Sequence, residues 1–123
     1  VLHHLDVPQA LREIVRVSKP GARMWFSEPN MLNPQIMLQK NIRVLKRLAG
    51  DTPHETAFFR WAMSQALRGA GLTDVRVMPF DFMHPWIPDW ATNVVDALGR
   101  MVEHIPGVRE FAGSLVIHAR KPL

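Results

Sequence analysis

An α/β fold is predicted, with helices laid against a sheet whose strands lie far apart in the chain. Two observations carry it. A helical pattern, a tight Pro-Gly turn and a continuously apolar strand follow one another over residues 7–27, which is half of a βαβ unit. Two further strand patterns, at 74–80 and 114–120, each come after a helical pattern. The 123 residues fit one compact unit, and the 47% hydrophobic content is enough for a packed core.

Val1 to Leu5 reads as the end of a strand. Asp6 then offers an N-cap, Pro8 sits in the first turn, and Gln9 stands at capping-box spacing. Leu11, Ile14 and Val15 recur on one helical face, so a helix is predicted from about Val7 to Val17. Lys19-Pro20-Gly21 ends it, because proline cannot continue a helix and glycine makes the turn. Arg23 to Ser27 follows as a strand. Its Met-Trp-Phe centre does not alternate, which predicts cover on both faces. Glu28-Pro29-Asn30 closes it.

Asn33 and Pro34 have the chemistry of an N-cap and a first helical residue. One helix is predicted from there to Gly50, with Leu38, Ile42, Leu45 and Ala49 on a shared face. Asp51 to Thr56 is a turn, within which Thr52-Pro53-His54-Glu55 has the look of a helix start. The next helix carries Phe59, Met63, Ala66, Leu67 and Ala70 towards a core. Gly71 suits its C′ position, with Leu72 placed for the accompanying apolar contact. Asp74 to Phe80 is a strand and 82–88 a proline-rich loop. Asp89 is placed to cap a helix bearing Trp90, Val94, Leu98, Met101, Val102 and Ile105. Pro106-Gly107 breaks that helix, and Ser114 to Arg120 is the last strand.

Composition narrows the function. The absence of cysteine removes disulfides, thiolate metal sites and a Cys nucleophile, and leaves the compartment undecided. No targeting signal is present, so a cytoplasmic location is expected. No apolar run approaches the roughly 20 residues of a membrane span. The net charge of +4 is modest and dispersed, which makes a nucleic-acid role the weaker reading. The chain opens Val1-Leu2-His3-His4 without an initiator Met, and reads as a piece of a longer protein.

Three stretches together resemble one family. The first is Val1-Leu2-His3-His4-Leu5, with Ala10-Leu11-Arg12-Glu13-Ile14 and Arg16-Val17-Ser18-Lys19-Pro20-Gly21-Ala22 after it. The second is Ala66-Leu67-Arg68-Gly69-Ala70-Gly71-Leu72, and the third is the closing strand with its Arg120-Lys121-Pro122 exit. In this order they resemble the later half of class I S-adenosylmethionine-dependent methyltransferases. Ser18 stands where that family usually has Leu, and Ala22 where it has a second Gly.

The resemblance implies the C-terminal half of a Rossmann-like methyltransferase sheet. The opening stub is then the end of the family's fourth strand, Arg23 to Ser27 its fifth, and Asp74 to Phe80 its sixth. Ser114 to Arg120 becomes the seventh, which in that family runs antiparallel between the fifth and sixth. Residues 31–50 and 82–112 become insertions that cover the acceptor. The family's Gly-rich loop and ribose-binding acid have no counterpart, since no Gly-x-Gly-x-Gly occurs in the sequence. The cofactor implied is S-adenosyl-L-methionine, and the acceptor a small molecule or a lipid-like compound. A strand stripped of its fourth-strand neighbour leaves a bare edge, so poor solubility or dimerisation is expected.

Ligands of open α/β sheets bind beyond the carboxyl ends of the strands. That rule selects Leu2-His3-His4-Leu5 and Ser27-Glu28-Pro29-Asn30. Methyl transfer from a sulfonium is an in-line displacement, so positioning and water exclusion matter most, and a base only if the acceptor must lose a proton early. On the resemblance, His4 and Glu28 are the catalytic candidates, and Leu2, His3 and Leu5 lie at the cofactor. Each has a plainer alternative: an imidazole hydrogen-bonded to the adjoining helix, or a carboxylate satisfied by backbone amides. Asn30, Met31, Phe82 and Trp86 are the acceptor-lining candidates. Asn30 has a capping role as its alternative, and the aromatic and Met cluster, with Met83 and Trp90, has packing of the last helix as the stronger one. Lys40, Arg43, Lys46 and Arg47 match either a phosphate contact or a solvated helix face. No metal is expected, because adjacent histidines should diverge and no third ligand has a supporting spacing.

Overall fold

The computed structural model describes residues 2–48, 56–82 and 87–123. Three strands form one sheet: β1 (Arg23–Pro29), β2 (Thr73–Phe80) and β3 (Ser114–Arg120), in the order β1-β3-β2. The last strand lies antiparallel to both neighbours, so β1 and β2 run parallel to each other with β3 between them. This is the insertion that the resemblance led us to expect. The helices are α1 (Val7–Val17), α2 (Pro34–Asn41), α3 (Arg43–Leu48), α4 (Arg60–Gly69) and α5 (Thr92–Glu103).

The core lies on one side of this sheet. Leu115, Ile117 and Ala119 alternate along β3 and are fully buried. Val77 and Pro79 of β2 flank them on one side, with Met24, Phe26 and Glu28 of β1 opposite on the other. α1 enters the same cluster through Leu11, and α4 through Met63 and Leu67. Burying side chains of this size is worth roughly 1.5–3 kcal/mol each, so this cluster dominates the stability of the chain.

Local chemistry sets the ends of the two core helices. Asp6 caps α1 by accepting the Gln9 amide at 2.8 Å. At its other end the Ser18 hydroxyl donates to the Ile14 carbonyl, and Lys121 Nζ donates to the carbonyls of Val15 and Ser18 at 2.7 and 2.8 Å. A cation there also meets the negative end of the helix dipole. α4 stops in the predicted way. Gly71 takes φ +87°, its amide donates to Arg68, and the Leu72 amide donates to Leu67. That pair of bonds is a Schellman closure, and it turns Leu72 into the core.

Five expectations need correction. The Leu2–His4 segment is a single 3-10 turn, not a strand end, because the Leu2 and His3 amides are taken by a carboxylate instead of a ladder. The helix expected from Asn33 onward does begin at that cap, but it breaks at Ile42, which is extended. The Asn41 side chain bonds back to the Met37 carbonyl there, and Asn and β-branched Ile are poor helix formers. β1 is covered on one face only: Trp25 is 67% exposed between the more buried Met24 and Phe26. α5 starts after a separate 3-10 turn, Asp89–Ala91, with no side-chain cap, and its apolar stripe faces outward. Trp90, Val94, Leu98, Met101 and Ile105 are all exposed instead of packing on the sheet. Phe59 also stays at the rim, 38% exposed and stacked on Trp61. The expected start at 52–55 and the candidates Met83 and Trp86 lie outside the described residues, as do Ala49 and Gly50 of the predicted face and stop.

Candidate active site

The two strand-end segments singled out by the sequence meet in space. Glu28 is the penultimate residue of β1, and the strand's alternation turns its side chain to the packed face beside Leu115. A carboxylate there is 98% removed from solvent and must be compensated. The Leu2–His4 turn supplies the compensation. Glu28 Oε1 accepts the Leu2 amide at 2.6 Å, and Oε2 accepts the His3 amide at 3.2 Å. Oε2 also lies 2.6 Å from His3 Nδ1.

The electrostatics follow from these contacts. Burial pushes the Glu28 carboxyl up, while the His3 ring, the Leu2 amide and the charged amino terminus of this chain favour its ionised form and leave it below its ordinary value of 4.5. Ionised at neutral pH, the carboxylate can only accept. His3 Nδ1 must therefore be the donor, which leaves Nε2 as the ring nitrogen able to take or hold a proton. A carboxylate that fixes one imidazole tautomer in this way is chemically suited to orienting a base or a hydrogen-bond acceptor.

His4 lies next to this pair and is exposed. Its ring centroid is 3.9 Å from that of His3, with the planes tilted by 47°. The rings therefore adjoin, contrary to the expectation that adjacent histidines diverge; the 3-10 turn brings them together where a strand would set them on opposite faces. No group of three His, Cys, Asp or Glu placed to hold a metal occurs among the described residues.

The remaining candidates separate. Leu2 is 1% exposed and belongs to the core, so it faces packing partners, not a ligand. Leu5 is 54% exposed beside the turn. Asn30 is 1% exposed: its amide nitrogen donates to the carbonyls of Glu110 and Ala112, and its oxygen accepts the Leu32 amide. It thereby ties the end of β1 to the segment before β3 and turns no polar group to an acceptor. Met31 is half-buried at the start of the 31–50 stretch, its amide bound to the Phe58 carbonyl. Phe82 packs towards Gly99 of α5, where an added Cβ would meet it at 3.4 Å. The sequence missed that His3, not His4, is the ring held by Glu28. The two are 25 positions apart, and no local spacing announces their contact.

Comparison with known proteins adds the fold. No protein-family model matches the sequence, and no curated protein matches it. Among solved structures, one described as a SAM dependent methyltransferase from Archaeoglobus fulgidus is similar at 16% identity with a TM-score of 0.53. The match covers 98% of this chain and 55% of that one, so the chain spans about half the length of the structure it resembles.

Proposed function

We propose that the chain is the acceptor-side part of an S-adenosylmethionine-dependent methyltransferase acting on a small-molecule or lipid-like acceptor. The observation that carries this reading is the Glu28–His3–His4 arrangement, set at the carboxyl end of β1 in a sheet of β1-β3-β2 order. The fold likeness to the Archaeoglobus protein supports it, as do the three sequence stretches.

The described residues fit one wall of such a site. His4 and Leu5 are exposed beside a turn pinned by a buried carboxylate, while no glycine-rich cradle stands in the sequence. When bound, the cofactor supplies an electrophilic methyl group. His4 and Leu5 would line its methionine end. Glu28 holds the His3 ring in one tautomer, and His3 Nε2 or His4 would accept a hydrogen bond or a proton from the acceptor as it attacks. Loss of this pinning misplaces both rings, which is costly in a reaction that depends on alignment.

Methyl transfer from labelled S-adenosylmethionine, measured on the full-length protein, tests the proposal. Robust turnover that falls about a hundredfold or more in His4→Ala or His3→Ala is expected, the range ordinary for a positioned acid–base group. Full turnover in both variants removes the histidines from the chemistry. A second reading, a methyltransferase-like module without catalysis, is favoured by the missing Gly-x-Gly-x-Gly. Absence of any turnover in the full-length protein selects it. This chain by itself should not bind S-adenosylmethionine with micromolar affinity in titration calorimetry.

A further inference from the structure

We infer that α2 and α3 form a docking arm for a membrane surface carrying anionic lipid headgroups. Neither helix contains a buried residue, in contrast to α1 and α4, which both enter the core. Together with Ile42 between them they leave several apolar side chains in water: Met37, Leu38, Ile42, Val44 and Leu48 are exposed by 43–75%. An apolar surface held out of the core needs a partner.

The charges identify the partner's sign. Lys40, Arg43, Lys46 and Arg47 lie in this stretch, and no acidic residue occurs between Glu28 and Asp51. Within α3 the arrangement is two-sided, whereas α2 shows no such segregation. At about 100° per residue, Val44, Leu45 and Leu48 of α3 share one arc, and Arg43, Lys46 and Arg47 occupy the opposite one. Aliphatic side chains on one side and cations on the other match the boundary between acyl chains and phosphate headgroups. Single-stranded nucleic acid is matched less well. It binds cations interleaved with aromatic rings, and residues 30–48 contain none.

The arm's base is held in place. Asn33 accepts the Gln35 and Ile36 amides through its side-chain oxygen and donates to the Phe111 carbonyl at 2.8 Å. The arm therefore leaves the sheet from the carboxyl end of β1, the end that carries Glu28 and the two histidines. Docking would bring that end to the bilayer, where a lipid-like acceptor resides. The docking itself does not depend on methyl transfer.

Flotation of the 123-residue chain with vesicles tests this, since aggregates do not float with lipid. The chain should float with phosphatidylcholine vesicles containing phosphatidylglycerol and stay behind with phosphatidylcholine alone. Raising salt should release it. The R43E/R47E variant should lose about tenfold or more in partitioning, and V44S/L48S should lose a similar factor. All four positions are exposed, so circular dichroism should be unchanged. Three results overturn the inference: equal flotation with both vesicle types, wild-type flotation by both variants, or displacement from lipid by single-stranded RNA at lower concentration than by free phosphatidylglycerol micelles. Flotation without catalysis leaves the docking standing and the methyltransferase reading fallen; catalysis without flotation does the reverse.

Discussion

Trp25 and Phe26 are neighbours on β1, yet they live on different sides of the molecule. Phe26 packs against the buried cluster beneath the sheet, opposite Ile117. Trp25 lies over His118 with ring centroids 4.4 Å apart and is 67% exposed. The same alternation runs along β3, where Leu115, Ile117 and Ala119 are buried and Val116 and His118 are only partly so. The difference shows where the folding energy of this chain resides. One face carries α1, α4 and the Leu2–His4 turn; the other, among the described residues, carries Trp25, Met78 and charged side chains in partial contact with water.

Ile117 is where the two faces should differ most. It is fully buried at the centre of the central strand, facing Phe26 on one side and Val77 on the other. Ile117→Ala should destabilise by about 2–5 kcal/mol, because the rigid sheet cannot collapse into the cavity. Denaturant unfolding monitored by tryptophan fluorescence measures it. A loss below about 1 kcal/mol would mean that the packed face is loose, and the two faces would no longer differ in kind.

Glu28 sits at the edge of that packed face and links it to the candidate site. In Glu28→Gln the amide oxygen can still accept the Leu2 amide, but the NH₂ group then faces the His3 amide. Switching the His3 tautomer restores the ring contact and not the backbone one. The cost should be about 1–3 kcal/mol. The acid behaviour gives a sign to check. A carboxyl held below its ordinary value adds stability that is complete above pH 4.5 and is lost as pH falls through the lowered value. Wild type should therefore lose stability below pH 4.5 more steeply than Glu28→Gln. Parallel acid profiles would show that the carboxylate is not held by the turn.

How much of this was readable beforehand depended on the range of the interactions. Asp6, Asn33 and the Gly71-Leu72 pair act within one turn of chain, and each does what its residue type predicted. The placement of β3 was reached through family resemblance, since hydrophobic pattern alone gives no strand order. Glu28 and His3 were each visible as strand-end polar residues, but their contact depends on how β1 and the opening turn stack. The partners of Asn30 were hidden for the same reason: Glu110 and Ala112 lie about 80 positions away. The Met-Trp-Phe run and the stripe on α5 were misread because apolar composition signals burial without naming what does the burying.

Trp25 supplies the smallest and most discriminating expectation. Truncation of a tryptophan in a core costs about 3–5 kcal/mol. Trp25→Thr should cost under about 1 kcal/mol, because threonine suits a strand as well and little apolar surface returns to water. What is given up is the tilted contact with His118, a partly exposed ring whose Nδ1 lies 3.2 Å from the Asp74 carbonyl. That second partner keeps His118 in place when the indole is removed. Thermal unfolding of the variant beside Ile117→Ala gives the ratio directly. A small shift at Trp25 against a large one at Ile117 confirms a one-sided core. Comparable shifts would mean that the outer face is packed in solution by something that strand alternation and exposure do not reveal.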